Sequence, residues 1–348
     1  MKNIKLVLCA SLCLLIITSC KNNIVDPPPV IEPGNRNYTW KEYELNPPNG
    51  ETVRMWAIWG ANPLDVWTVG TCSSYLLGVW RYNGNQFINI PTTNTSAQTS
   101  IWGSSTNDIW IGSAGGIVWH YSGSEWTVNA ELKYRNYTKF AIQKIWGISS
   151  NEVYAVGAKL PGDVNDSTFG AVFKYDGSKW NDIKITKNNL NFYDIAKDKD
   201  GDIIIAAMDN KNLKESVFSW NGSQLKELFP PASFGSTDLI CQNGNVYVAR
   251  NKIVYKYENG TFVLFKDFTG TNMTSLKCMR NEKDIFLGYN DGVVYGLAQY
   301  NGTDCKLIYQ TSPDFYPISG MLFEKEVFFI LRDNIHSKIK ILHGVLNE

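Results

Sequence analysis

Short apolar runs alternate with polar turn residues along most of this chain, and the runs come in sets of four. The clearest set is Ile58-Trp59-Gly60, Asp65-Val66-Trp67-Thr68-Val69-Gly70, Val79-Trp80-Arg81-Tyr82-Asn83-Gly84 and Phe87. It returns as Ile101-Trp102-Gly103, Asp108-Ile109-Trp110-Ile111-Gly112, Val118-Trp119-His120-Tyr121-Ser122-Gly123 and Trp126. A third copy runs from Ile145-Trp146-Gly147 through Glu152-Val153-Tyr154 and Tyr175-Asp176-Gly177 to Trp180. Period-2 alternation in segments rich in Trp, Tyr, Val and Ile predicts half-buried strands, not helices. Between the third and fourth runs stand Asn83-Gly84, Ser122-Gly123, Asp176-Gly177, Asn221-Gly222, Asn259-Gly260 and Asn301-Gly302. These predict tight two-residue hairpins, because Gly and Asn accept positive φ at low cost.

A repeat of about 44 residues marks a repeat architecture. Seven anchor positions carry it: Trp59, Trp102, Trp146, Ala196, Ile240, Lys277 and Leu322. The seventh copy ends with Ile339-Lys340-Ile341-Leu342 and lacks a fourth strand. Tyr38–Leu45, ahead of the first copy, reads as an orphan fourth strand with Trp40 in the slot of Trp126 and Trp180. The expected fold is therefore an all-β propeller of seven four-stranded blades, with the N-terminal strand closing the last blade. The weaker alignment of copies four to seven leaves six or eight blades open.

The Ile-Trp-Gly and Asp-Val-Trp-x-Val-Gly repeats resemble those of bacterial secreted and lipid-anchored β-propeller proteins, over roughly residues 38–343. Asp108-Ile109-Trp110-Ile111-Gly112 is also similar to the repeat of sensor-kinase regulator propellers. Both resemblances speak for architecture alone.

The chain opens with Lys2 and Lys5, an apolar run from Leu6 to Ile17, and then Thr18-Ser19-Cys20. That is the pattern of an export signal, and the run is too short for a comfortable membrane span. Ile17-Thr18-Ser19-Cys20 resembles the lipobox of bacterial lipoproteins, which implies cleavage before Cys20 and lipidation of that residue. An ordinary secretory peptide cut nearby is the alternative. The expected organisation is a signal peptide over 1–19, a lipidated cysteine and proline-rich tether over 20–37, and the propeller over 38–348. The expected location is the bacterial cell envelope, anchored by lipid to the outer membrane. Lys21 fits surface-display signals while their usual acidic residues are missing, so the periplasmic and surface faces both stay open.

Basic and acidic residues balance at 33 each, and no basic excess speaks for nucleic acid. Cys72, Cys241, Cys278 and Cys305 match no metal-ligand spacing. Cys241 and Cys278 occupy nearby places in adjacent copies, which suits either a disulfide or two small core residues. No metal and no cofactor is expected.

Eleven of the 12 tryptophans fall in repeat slots, where large rings fill the wedges between blades; Trp56 alone lies outside the pattern. Long, variable connections are better places for binding residues. The second-to-third and blade-to-blade connections vary most, and antiparallel geometry puts both on one rim. Two of them supply the candidate ligand-binding residues, Tyr134, Arg135 and Tyr137 in one and Phe315 and Tyr316 in the other. Tyr and Arg offer amphipathic contact area for a glycan, peptide or protein, while the same rings also suit pinning a loop down. Asp198-Lys199-Asp200-Gly201-Asp202 resembles a calcium loop but lacks its distal Glu, and reads better as a turn. Asp166-Ser167-Thr168 looks like an O-glycosylation site of some surface proteins. His120 occupies the strand slot of Arg81 and Lys174, and no nucleophile motif is present. The expected function is a non-catalytic binding or scaffold propeller. The alternative is a carbohydrate-active enzyme, a glycoside hydrolase or lyase, using carboxylates in the channel.

Overall fold

The computed structural model describes residues 32–93, 96–134, 140–159, 168–233, 237–333 and 335–347. They form seven antiparallel sheets of four strands each. The inner strands are Val53–Asn62, Gln98–Ser105, Phe140–Ser149, Asn191–Lys197, Thr237–Gln242, Met273–Asn281 and Phe315–Leu322. Each touches the inner strand of the next blade, and the last returns to the first, so the sheets close a ring. The architecture is a seven-bladed β-propeller.

The ring is locked by its two ends. Tyr38–Glu44 pairs antiparallel with Ile339–Leu346, from Tyr38 opposite Leu346 to Glu44 opposite Lys340. Trp40 faces Gly344 across this ladder, as Trp126 faces Tyr121 and Trp180 faces Tyr175. Gly344 leaves room for the ring: a Cβ there would lie 2.4 Å from Trp40. The chain is already docked ahead of this strand, since Arg36 donates to the Gln299 and Asp304 carbonyls at 2.9 and 2.8 Å.

The Ile-Trp-Gly signature has a packing cause. A Cβ on Gly103 would lie 2.7 Å from the Trp59 ring of the preceding blade, and one on Gly147 would lie 2.7 Å from Trp102. Each tryptophan therefore rests on the bare glycine of the next inner strand, and the two residues recur together because neither packs without the other. Trp67 and Trp110 sit deeper still, each about 1% exposed.

Two expectations about register need correction. The residues equivalent to Trp59, which faces Trp67, are Cys278 facing Phe286 and Met321 facing Phe328, not Lys277 and Leu322. In the sixth blade the cause is a bulge at Lys277, which adds one unpaired residue. The Asn-Gly and Asp-Gly dipeptides are also not all two-residue turns. Only Asn259-Gly260 is, with both residues at positive φ between Glu258 and Thr261. Elsewhere the dipeptide begins a four-residue connection. Its Gly has positive φ, and an Asn or Asp such as Asn83 or Asp176 accepts the N–H groups two and three residues on.

A polar layer repeats with the blades. In four of the blades the first residue of the second strand is a carboxylate, and a basic side chain on the third strand reaches it from over an aromatic ring. Arg81 meets Asp65 at 2.7 Å and lies 4.8 Å from the Trp67 ring. His120 meets Asp108 at 2.7 Å and stacks on Trp110 at 4.0 Å. Lys174 meets Glu152 at 3.3 Å beside Tyr154, and His343 meets Glu326 at 2.6 Å while stacked on Phe328. His120 and His343 are thus structural members of one repeated slot. Cys72, Cys241, Cys278 and Cys305 are free thiols. Burial pushes the Cys241 thiol up to about 11 and holds Cys278 well above its ordinary range.

Candidate functional site

The antiparallel order puts the second-to-third and blade-to-blade loops on one rim and the short turns on the other. The Asp198–Asp202 run belongs to the turn rim. There the Asp198 carboxylate accepts the Asp200 and Asp202 N–H groups, and Gly201 has positive φ, so the acidic run forms a turn.

The inner strands carry a second, non-repeating set of groups. Two residues before the anchor of each blade stand Ala57, Ser100, Lys144, Asp194, Asp238 and Ser319, with Lys277 bulged in from the sixth blade. Four consecutive blades therefore bring charge to the channel in the order plus, minus, minus, plus, while the others bring small neutral groups. Lys144, Asp194 and Lys277 line a cavity of about 330 Å³ there. Lys144 Nζ lies 3.4 Å from the Asp194 carboxylate, which stays protonated to higher pH than usual because of its burial. Burial also raises Asp238 to about 6, against the pull of Lys277 and with the repulsion of Asp194 and Glu215. Lys277 is pushed down by burial, although Asp238 pulls it up, and Arg332 repels it.

Arg332 stands at the loop-rich mouth of this channel. It faces Tyr316 across the two inner strands of blade seven, and Trp56 approaches from blade one. The guanidinium carbon is 5.2 Å from the Trp56 ring centre and 5.4 Å from that of Tyr316, and Nε donates to the Tyr316 hydroxyl at 2.8 Å. Trp56 is 40% exposed, alone among the tryptophans in being so open. One cavity of about 250 Å³ is lined by Arg54, Trp56, Arg332 and Ser337. On the other side a groove between blades six and seven is lined by Lys277, Tyr289, Tyr295, Tyr316 and Ile335. Val293 and Ile335 project from the neighbouring loops at 82% and 71% exposure, with Tyr75 and Leu76 exposed on blade one.

Of the described residues chosen from sequence, Tyr316 alone is placed at this mouth. Tyr134 is buried at 2% exposure in the cluster with Leu132 and Phe140, stacked near Phe169. Phe315 is buried at 7%, with Lys340 over its ring. Both rings pin their loops down and offer no open face. Arg135, Tyr137, Cys20, Asp166 and Ser167 lie outside the described residues. Trp56 and Arg332 were missed. Trp56 was visible as the one tryptophan outside the repeat. Arg332 was visible only by alignment, since it holds the place of Thr71 and Ala158 in the first and third blades.

Among the described residues, Asp314, Asp333 and His336 form a ligand-like cluster, their donor atoms within 4.8 Å of one another. The Asp333 carboxylate is engaged there in holding its own loop, accepting the Ile335 and His336 N–H groups and facing His336 Nδ1 at 2.8 Å.

No family model and no curated protein matches the sequence. Solved structures do. The structure of YCF48 bound to D1 peptide is 12% identical with a TM-score of 0.58, covering 91% of this chain and 100% of that one. YCF48 from Cyanidioschyzon merolae is 11% identical with a TM-score of 0.56, covering 88% of this chain and 98% of that one. At such identities the likeness concerns the fold, and both are propellers similar to this one.

Proposed function

We propose that this propeller is a non-catalytic binding or scaffold module that takes a peptide or protein segment on its loop-rich rim. The observation that carries this reading is the gathering, on one rim, of Trp56, Tyr316 and Arg332 with the exposed tips of Val293 and Ile335. Aromatic and Arg anchors amid apolar surface characterise sites where proteins bind one another. Aliphatic tips suit polypeptide side chains better than glycan hydroxyls. The likeness in fold to YCF48, whose structure holds a D1 peptide, supports the same choice. We further propose that lipidated Cys20 and the following proline-rich segment anchor the domain in the bacterial cell envelope, at the outer membrane.

The reading is tested by screening the mature chain against a displayed library of short random peptides and a glycan array. Peptide binding lost in the Ile335→Ser and Val293→Ser variants but kept in Leu64→Ser on the turn rim is the expected result. Binding to glycans alone, or binding indifferent to the rim changes, would sink it. Labelling cells with an alkynyl fatty acid tests the anchor: signal on the wild type and none on Cys20→Ala is expected.

One observation favours a second reading. Asp194 and Asp238, both raised in pKa within the channel, are the sort of pair that glycoside cleavage employs. Turnover on a polysaccharide panel, abolished in Asp238→Asn, would establish the enzyme; no turnover would remove it.

A further inference from the structure

Half-buried charges in folded domains ordinarily find a partner of opposite sign. Arg332 is an exception. Among the described residues no carboxylate pairs with it, and its two Nη groups donate to no protein acceptor; only Nε is engaged, with the Tyr316 hydroxyl. The neighbouring acid is already used: Asp333 accepts from its own loop. The surroundings add positive charge, with Lys277 close enough to feel Arg332 and Arg54 lining the same cavity. The guanidinium is nevertheless held in place, flanked by Trp56 and Tyr316, so it loses little freedom on meeting an anion.

We propose that this pocket is a carboxylate-reading subsite for an extended polypeptide. The free Nη edge of Arg332 forms a fork whose spacing matches the two oxygens of a carboxylate. The acid belongs to an Asp or Glu side chain or to the chain's C-terminus, and an apolar neighbour on the same segment meets Ile335 or Val293. The inference rests on reading the rim as a peptide-binding surface, and it adds the chemistry that selects the peptide.

The test uses binders taken from the random-peptide library on the full mature chain. Enrichment of Asp, Glu or a free C-terminus over the starting library is expected. In a synthetic binder, replacing the acid by its amide should weaken binding about tenfold or more in the wild type. The same replacement should change nothing in Arg332→Gln, and Arg332→Lys should keep only part of the discrimination. Glu→Gln exchange and C-terminal amidation, made separately in the peptide, distinguish the two sources of carboxylate. Binders without acidic enrichment, or an amide penalty undiminished in Arg332→Gln, would overturn the subsite and leave peptide binding standing. Failure to select any peptide would overturn both. Should Arg332→Gln not fold, Trp56→Leu, which removes the ring 5.2 Å from the guanidinium carbon, carries the same comparison, with a reduced amide penalty expected.

Discussion

The polar layer of the blades and the mouth of the channel use the same residue types in opposite ways. In the layer, Arg81, His120, Lys174 and His343 each lie over an aromatic ring and reach a carboxylate. At the mouth, Arg332 lies beside two aromatic rings and reaches no carboxylate among the described residues. A basic side chain stacked on a ring and bonded to a carboxylate finds both its partners inside the fold, so each pairing in the layer is supplied by the blade itself. A stacked cation lacking its acid is complete only when something else supplies one. In this propeller, repetition marks what the fold needs for itself, and departure from the repeat marks what faces outward.

The sharpest way to break that contrast is to remove one tryptophan from each region. Trp110→Ala should cost about 4 kcal/mol in urea unfolding, because it empties a fully buried site and strips His120 of its stacking partner. Trp56→Ala should cost under about 1 kcal/mol, since its ring is already largely open. Comparable losses would mean that Trp56 is also part of the interior.

Next in size are two changes within the repeated framework. Glu152 is partly buried, which by itself raises it, yet Lys197, Tyr154 and Lys174 hold it down at about 2, below its ordinary 4.5. A depressed folded value means stability that is fully present above pH 4.5 and lost as pH falls through about 2. Glu152→Gln should therefore cost about 2 kcal/mol at neutral pH, a figure reduced for its partial exposure, and the gap should close in acid. Gly103→Ala should cost about 2 kcal/mol by driving a methyl group into the Trp59 ring. Melting curves against pH for the first, and at fixed pH for the second, check these values.

The channel should behave with the opposite sign. Asp238 is raised from 3.8 to about 6, chiefly by burial, so its favourable contribution is present below pH 3.8 and lost as pH rises through about 6. Asp238→Asn should therefore raise neutral-pH stability by about 1–2 kcal/mol and lose that advantage below pH 4. A destabilised variant would show that the four channel charges are as structural as the blade layer. The smallest effect is expected at the rim tips, where Ile335→Ser should leave the melting temperature within about 1 °C.

Much of the fold was legible because Trp59 on Gly103 and Trp102 on Gly147 are contacts between neighbouring copies, and a contact that recurs must recur in sequence. Where smaller residues took the tryptophan place, at Ala196, Ile240, Cys278 and Met321, the signal faded. A bulge such as that at Lys277 then shifted the anchor by one, since one unpaired residue leaves no trace in the alternation of polar and apolar positions. The site was less legible for a different reason. Tyr134 and Tyr316 are both tyrosines of long connections, and nothing local says which ring turns inward. That choice depends on neighbours such as Phe140 and Arg332, which only the closed ring brings near.

The lock between the two chain ends also sets a clock. Tyr38–Glu44 is among the first segments of the domain to be synthesised, yet its partner, Ile339–Leu346, is among the last. Six blades can form while the seventh lacks its outer strand, and during that interval Tyr38, Trp40 and Tyr43 have no sheet to join. Closing a loop of this length is slow and raises the contact order of the whole domain. An unpaired strand with three aromatics, opposite an open sheet edge, is also an invitation to a second copy. The final step of folding is thus the one most exposed to competition between molecules, and its yield should fall as the concentration of refolding chains rises.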